Sequence, residues 1–390
     1  MSLDFDSARL PNPYLTAEHE QWRSQLRRFI AQEIEPFAEQ WDEAGKIPDD
    51  LWPKAGAVGL FAAGYPEAYG GISEGLDIWH GHIVHEELCR VGVGGVTAAL
   101  TVHGISLPTV LKFASEAICQ EVGPAVISGQ KRISLGVTEP GAGSDVAQLS
   151  TSAVRDGDDY IVNGSKTYIT GGQYANWYST AVRTGGPGAK GVSMLLIPAE
   201  LKGVSRTPLD RKQGWWASDT ATIYFDNVRV PVGNLIGEEN QGFKAIMANF
   251  NLERLGLVVD MEAYARVCLQ EAVEWAQQRK TFGKCLSEHQ VIRHKIAEMK
   301  QRINATQAYI QSCSAQLESG HANAGDIALL KVQASQTMEY CAREGMQIMG
   351  GIGYMRGSKI ERLYREVRVN AIGGGSEEIM RDLAARQYQL

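Results

Sequence analysis

Apolar residues recur at helical spacing over residues 16–43, where Trp22, Leu26, Phe29, Ile30, Ile34 and Phe37 form one stripe behind a Thr16 N-cap. The spacing predicts one long amphipathic helix that Pro36 bends or splits. A shorter helix begins in Pro48-Asp49-Asp50-Leu51-Trp52, residues 64–71 make a turn-rich break, and the helical pattern resumes over 76–90 with Ile78, Ile83, Val84 and Leu88. An apolar run rich in small residues over 91–110 and a short helix over 116–128 complete a first third that reads as helical throughout.

The period changes at Ile133. Segments 133–139, 148–155, 158–163, 166–170, 176–183, 192–198 and 220–225 are short and rich in Val, Ile, Tyr, Thr and Ser. Asp156-Gly157-Asp158, Asn163-Gly164, Gly171-Gly172 and Gly185-Gly186-Pro187-Gly188 punctuate them as turns. Strands without interleaved helices predict an antiparallel barrel or sandwich, closed by Asn227-Val228-Arg229-Val230-Pro231. After Asn240-Gln241-Gly242 the helical period returns over 243–279, 290–318, 324–349 and 377–388, with breaks at Gly283, Gly320, 350–353 and 373–375. Long helices on short loops predict an up-and-down bundle of about four. The expected fold class is α+β and multidomain: an N-terminal α-helical domain (1–132), a central antiparallel β-barrel domain (133–236) and a C-terminal four-helix bundle (237–390).

Composition narrows the function. The 390 residues, 44% hydrophobic and 21% charged, suffice for two or three cores. A formal net charge of −7 and the lack of any basic run argue against nucleic acid and anionic lipid as partners. The six cysteines have no CxxC spacing, so no metal site or disulfide framework is expected; they read as small buried residues in a reducing compartment. The N-terminus lacks the apolar core of a signal peptide, and no uninterrupted apolar run of the ~18 residues needed for a membrane span is expected, which points to the cytoplasm.

Candidate chemistry centres on Leu135-Gly136-Val137-Thr138-Glu139-Pro140-Gly141-Ala142-Gly143-Ser144-Asp145. An apolar run that breaks into such a turn exposes backbone N–H groups and sets the Thr138 and Ser144 hydroxyls near its mouth, where a polar ring edge or a phosphate could be received. An ordinary strand-to-loop junction has the same composition. Beside this turn stand Tyr65-Pro66-Glu67-Ala68-Tyr69-Gly70-Gly71, Lys166-Thr167-Tyr168-Ile169-Thr170, Gly237-Glu238-Glu239-Asn240-Gln241-Gly242-Phe243, Arg279-Lys280-Thr281-Phe282-Gly283-Lys284, Gln347-Ile348-Met349-Gly350-Gly351-Ile352-Gly353-Tyr354 and Gly374-Gly375-Ser376-Glu377-Glu378-Ile379. In this order, and over essentially the whole chain, these words resemble the acyl-CoA dehydrogenase family, flavoproteins that desaturate acyl thioesters between Cα and Cβ.

The resemblance implies a homotetramer built as a dimer of dimers, with one FAD per subunit between the β domain and the bundle. It implies that Leu135, Val137, Thr138 and Ser144 line the flavin and its substrate channel, and that Tyr168 and Thr170 face the other edge of the ring. Arg279, Thr281, Phe282, Gln290, Gln347, Gly350 and Gly351 match positions that reach the FAD of a neighbouring subunit, and Ser376 and Glu378 positions near its adenosine half. A guanidinium such as Arg279 suits a pyrophosphate, although a solvated helix C-terminus explains it equally.

Most members carry the catalytic base as a Glu in the closing motif, where this chain has Gly374. The chain resembles the isovaleryl-CoA and long-chain members, which lack that Glu and carry the base in an LERL-like word on the first bundle helix; here the word is Leu252-Glu253-Arg254-Leu255. Glu253 is thus the candidate base, Arg254 the adjacent cation, and the Gly374 N–H the candidate donor to the thioester oxygen. Glu139 and Glu377 read as structural. The implied substrate is a branched or medium-to-long acyl-CoA, with residues 92–99 either lining a cavity floor or serving tight packing, and the implied acceptor is an electron-transferring flavoprotein. An acyl-CoA oxidase, a flavin monooxygenase of the same fold, or a silent acyl-CoA-binding homologue are the alternatives.

Overall fold

A computed structural model describes residues 3–390. The first third holds α1 (Ala17–Glu33), α2 (Ala38–Ala44), α3 (Leu51–Ala57), α4 (Ile78–Cys89), α5 (Gly94–Thr101), α6 (Leu107–Phe113) and α7 (Glu116–Ile127). The stripe over 16–43 is two helices, because the Ile34 and Glu35 N–H groups both turn back onto the Ile30 carbonyl just before Pro36, which has no N–H to continue the ladder. Leu26, Phe29 and Ile30 pack on Leu51, Ile83 and Leu88, each such side chain contributing about 1.5–3 kcal/mol by leaving water. His19 Nε2 and His80 Nδ1 lie 2.9 and 2.8 Å from Asp77 Oδ1, tying α1 to the capped start of α4.

The small-residue run at 92–99 serves packing, not a cavity floor. A Cβ on Gly94 would lie 2.5 Å from Glu366 Oε2, and one on Gly95 2.9 Å from the Ala217 nitrogen. Residues Gly94–Phe113 have the length and mean hydropathy (20 residues, 1.3) to cross a membrane, but polar positions such as Thr101, His103 and Lys112 interrupt the run. They form α5 and α6 joined by a 3-10 turn at Val102–Ile105, with 61% of the apolar window buried inside the protein.

The sheet comprises β1 (Ile133–Gly136), β2 (Ser152–Asp156), β3 (Asp159–Thr170), β4 (Trp177–Arg183), β5 (Val192–Pro198), β6 (Val204–Pro208), β7 (Thr220–Pro231) and β8 (Leu235–Ile236). Its order is β6-β7-β3-β2-β4-β5-β8, with β1 alongside β4. Most neighbours are antiparallel, but β1 and β2 both run parallel to β4. Asn163-Gly164, expected as a turn, is a bulge inside β3, with a register shift between Val162 and Gly164. Gly164 has φ 144°, and a Cβ there would strike Thr151 Oγ1 at 2.6 Å. β6 and β8 escaped the sequence pattern: β6 is largely exposed and β8 has two residues. The sheet curls around a core of Tyr160, Tyr178, Val182, Leu195, Ile223 and Phe225, while Trp177 and Ala181 on the other face of β4 pack on residues of α6 and α7.

The remainder is helical: α8 (Gly242–Gln278), α9 (Gln290–Glu318), α10 (Ala324–Met349), α11 (Lys359–Ile372) and α12 (Glu377–Gln387). The added helix is α11, which buries Ile360, Leu363 and Val367 and is capped by Ser358. α8 crosses the junction between sheet and bundle. Ala245 and Ile246 join the core beneath the sheet, whereas Leu255, Val258 and Val259 join the bundle core. At its start only glycine fits, since a Cβ on Gly242 would lie 2.4 Å from the Ser193 carbonyl carbon.

Candidate active site

The turn after β1 is held from below by a buried ion pair. Glu139, 5% exposed, accepts from the Ser150 and Thr151 N–H groups at 2.7 and 2.9 Å, from the Ser150 hydroxyl, and from Lys166 Nζ at 2.7 Å. Lys166 also donates to the Val137 carbonyl. Burial works against the Glu139 charge, yet Lys166, Thr151 and Ser150 overcome it and hold the carboxyl near 2. All of its acceptor capacity is directed inward.

The Thr167 N–H bonds the Thr138 carbonyl at 2.9 Å, which brings Tyr168 beside the turn that carries Leu135, Val137, Thr138 and Ser144. Tyr168 has φ 58°, sits at the second irregularity of β3 and leaves its side chain 71% exposed. A bulky residue held at positive φ with its ring outside the core is strain of the kind found at ligand clamps. Gly141 and Gly143 have no atom of the described residues within 4 Å of a Cβ position, so the turn faces open space. Thr170 is half-buried and pairs with Thr220 across β7.

The second group lies at the far end of the bundle, where the ends of α8 and α10 meet the start of α9. Arg279 follows α8; Lys280-Thr281 pairs with Lys284-Cys285, and Phe282 at the hairpin tip has φ 49° and is 98% exposed. Gln290, Gln347, Gly350 and Gly351 are exposed. No hydrogen bond among the described residues joins this group to the turn after β1. Ser376 caps α12 by accepting from the Ile379 N–H, and Glu378 is exposed in its first turn. Cys285, in the same hairpin, is the half-buried exception to the expected buried cysteines.

Glu253 projects from α8 toward Gly374. A Cβ on Gly374 would lie 3.9 Å from Glu253 Oε1, so the two alternative base positions of the sequence reading point at one place. Oε2 of Glu253 is buried and has no hydrogen-bond partner among the described residues. Burial raises this carboxyl to about 7 against the pull of Arg254 and Lys331. Arg254 Nε donates to the Gly374 carbonyl at 3.2 Å and Lys331 Nζ to the Gly375 carbonyl at 2.5 Å. Two cations thus pin the glycine turn, and the Gly374 N–H has no partner among the described residues. Gly374 itself has φ 67°, which disfavours a side chain. Glu377, by contrast, is engaged by Ser335, Gln336 and Arg381.

Lys331 was missed by sequence reasoning. Its signal was a charged residue on the buried stripe of α10, among Ile327, Ala334 and Met338; it is 0% exposed. Burial, with Arg254 nearby, lowers its ammonium to about 8.

Family models described as "Acyl-CoA dehydrogenase, N-terminal domain", "middle domain" and "C-terminal domain" match residues 16–130, 134–228 and 240–389. The chain is 38% identical to "Acyl-CoA dehydrogenase AFT10-1" of Alternaria alternata, over 95% of this chain and 91% of that one. It is 34% identical to "Long-chain specific acyl-CoA dehydrogenase, mitochondrial" of Rattus norvegicus, over 95% and 86%. A solved structure of a probable acyl CoA dehydrogenase from Mycobacterium abscessus superposes with TM-score 0.93 at 43% identity, covering 96% of this chain and 99% of that chain.

Proposed function

The chain belongs to the acyl-CoA dehydrogenase family, FAD-dependent oxidoreductases that desaturate acyl-CoA thioesters, and we propose that Glu253 is its catalytic base and Gly374 its oxyanion donor. The observation that carries this reading is the buried, unpartnered Glu253 carboxyl, raised to about 7, beside Gly374. Evolving negative charge on a thioester oxygen is met by the Gly374 N–H, while Glu253 takes the α-proton. Arg254 and Lys331 hold the glycine turn through the Gly374 and Gly375 carbonyls, and Arg254 adds positive charge beside the carboxylate.

The residues fit FAD. Tyr168 offers an exposed aromatic face next to a turn with open space and two hydroxyls, as an isoalloxazine edge requires. Leu135, Val137, Thr138, Ser144, Tyr168 and Thr170 would hold its ring, with Ser376 and Glu378 toward the adenosine. When bound, FAD supplies the two-electron acceptor for the β-hydride. Arg279, Thr281, Phe282, Gln290, Gln347, Gly350 and Gly351 would serve the FAD of a neighbouring copy in a dimer of dimers, which accounts for a phenyl ring left 98% exposed on a strained hairpin. Family members use an electron-transferring flavoprotein, the acceptor proposed here, with a branched or medium-to-long acyl-CoA as substrate.

Anaerobic mixing with straight and branched acyl-CoAs tests the reading. Flavin bleaching is expected with the branched or longer chains; binding of every ester without bleaching would overturn dehydrogenation, and stoichiometric peroxide in air would favour an oxidase. A second expectation concerns the hairpin. Phe282→Asp should leave the single chain folded, yet loosen FAD by roughly 10- to 100-fold, as loss of one buried phenyl implies, and shift size-exclusion elution toward smaller species. Unchanged flavin content and elution would remove Phe282 from the cofactor site.

A further inference from the structure

The α8 face that carries Glu253 also carries a polar pair that proton abstraction does not use. His85 Nδ1 of α4 lies 2.8 Å from Asp260 Oδ1 of α8, and the Cys89 thiol donates to the same oxygen at 3.1 Å. The His85 side chain is 24% exposed although it sits between α4 and α8, so its other edge is open rather than packed. Nε2 has no hydrogen-bond partner among the described residues, and it lies 3.1 Å from where a Cβ on Gly256 would be. Gly256 is three positions beyond Glu253, roughly 4.5 Å further along the helix axis. Gly81, one turn before His85 on the same face of α4, has no atom of the described residues within 4 Å of its Cβ position, and the same holds for Gly104. Next to Gly104, His103 Nδ1 lies 3.1 Å from the Leu100 carbonyl, and its Nε2 has no hydrogen-bond partner among the described residues.

We propose, resting on the dehydrogenase reading above, that His85, positioned by Asp260, selects acyl chains that carry a hydroxyl beyond the reacting Cα–Cβ bond. A hydrocarbon chain packed against this edge would strip water from His85 Nε2 and give nothing back, and such a loss is what separates substrates at a polar pocket. A hydroxyl both donates and accepts, so it pairs with the imidazole in either protonation state. Burial opposes protonation of His85, but Asp260 outweighs it and raises the ring above its ordinary value, which favours the Nε2–H donor. Burial lowers His103 to about 4, with the His85 charge adding to the effect; its neutral ring offers Nε2 as an acceptor.

The test compares each plain acyl-CoA with the same chain bearing a hydroxyl moved carbon by carbon beyond Cβ. At one position the hydroxylated ester should gain about 10- to 100-fold in kcat/KM, chiefly through KM, because the contact is made equally in ground and transition states. His85→Leu should remove that preference while plain esters retain or improve their KM. His85→Leu with Asp260→Asn, which leaves no unpaired buried carboxylate, should behave alike and guards against misfolding. Dissociation constants measured for the same ester pairs with Glu253→Gln should keep the wild-type ratio whatever that variant does to turnover, so failure of the base assignment is read separately. No preference at any hydroxyl position, or a preference that survives His85→Leu, would overturn the proposal.

Discussion

Glu253→Gln is expected to lower kcat at saturating acyl-CoA by about 10³-fold or more while leaving the flavin spectrum unchanged, because the amide keeps the shape of the carboxyl and loses its capacity to take a proton. Wild-type kcat should also fall about tenfold per pH unit below roughly pH 7, since the reactive form is the carboxylate and burial raises the group to about 7. The stability consequence has the opposite sense to activity. A carboxyl whose folded pKa exceeds its unfolded value contributes stability below the unfolded value and loses it as pH rises through about 7, so at pH 8 the glutamine variant should unfold at higher denaturant than wild type, by up to roughly 3 kcal/mol. Adding Gly374→Glu to Glu253→Gln should restore part of the rate, as the two positions converge within 3.9 Å. Restoration should be incomplete, because residue 374 has φ 67° and its Cβ would meet Leu257 Cδ1 at 2.8 Å. Turnover by Glu253→Gln at the wild-type rate would end the assignment.

The features legible in the sequence were those with a period or a punctuation mark. The stripe of α1 and its break at Pro36, the switch to strands at Ile133 and the long helices α9 and α10 all follow from local pattern. Where the sequence reading went wrong or stayed open, a contact distant in the chain had decided the matter. Asn163-Gly164 reads as a hairpin turn until Thr151 and β7 pack on it, and the choice between cavity floor and tight packing at Gly94 and Gly95 stays open until Glu366 and residues 215–217 fill the space. The site shows the same division. The words around Ser144, Tyr168, Phe282 and Glu253 could be matched to a family, but the burial of Glu253 Oε2 could not. Nor could the clamp of Arg254 and Lys331 on the glycine turn, or the meeting of His85 with Asp260, because these join positions 44 to 175 residues apart. The strain at Tyr168 and Phe282 is likewise absent from any pattern, since both residues are ordinary strand and loop formers.

Lys166→Met is expected to destabilise the protein by about 3–5 kcal/mol and to empty the flavin site, because it leaves Glu139 buried without its cation. The pair does not act as two independent charges. Burial pulls the Lys166 ammonium down to about 8, whereas Glu139, which also collects the Ser150 and Thr151 donors, is held near 2. The structural gain therefore resides in the carboxylate. A carboxyl with a depressed folded pKa contributes stability above its unfolded value of 4.5 and loses it as pH falls toward 2, so wild type should lose stability across that window and Glu139→Gln should lose less. Glu139→Gln combined with Lys166→Met should recover most of the loss, since the amide oxygen can still accept from the backbone and no unpaired charge remains. Flavin binding should recover less than stability, because Lys166 also grips the Val137 carbonyl, and without that bond the segment from Leu135 to Thr138 is free to shift against Tyr168. Thermal melts and flavin content of the two single variants and the double variant, at neutral and acidic pH, check each step. A Lys166→Met protein that melts within about 1 kcal/mol of wild type and keeps its flavin would show that the turn is held by its backbone alone.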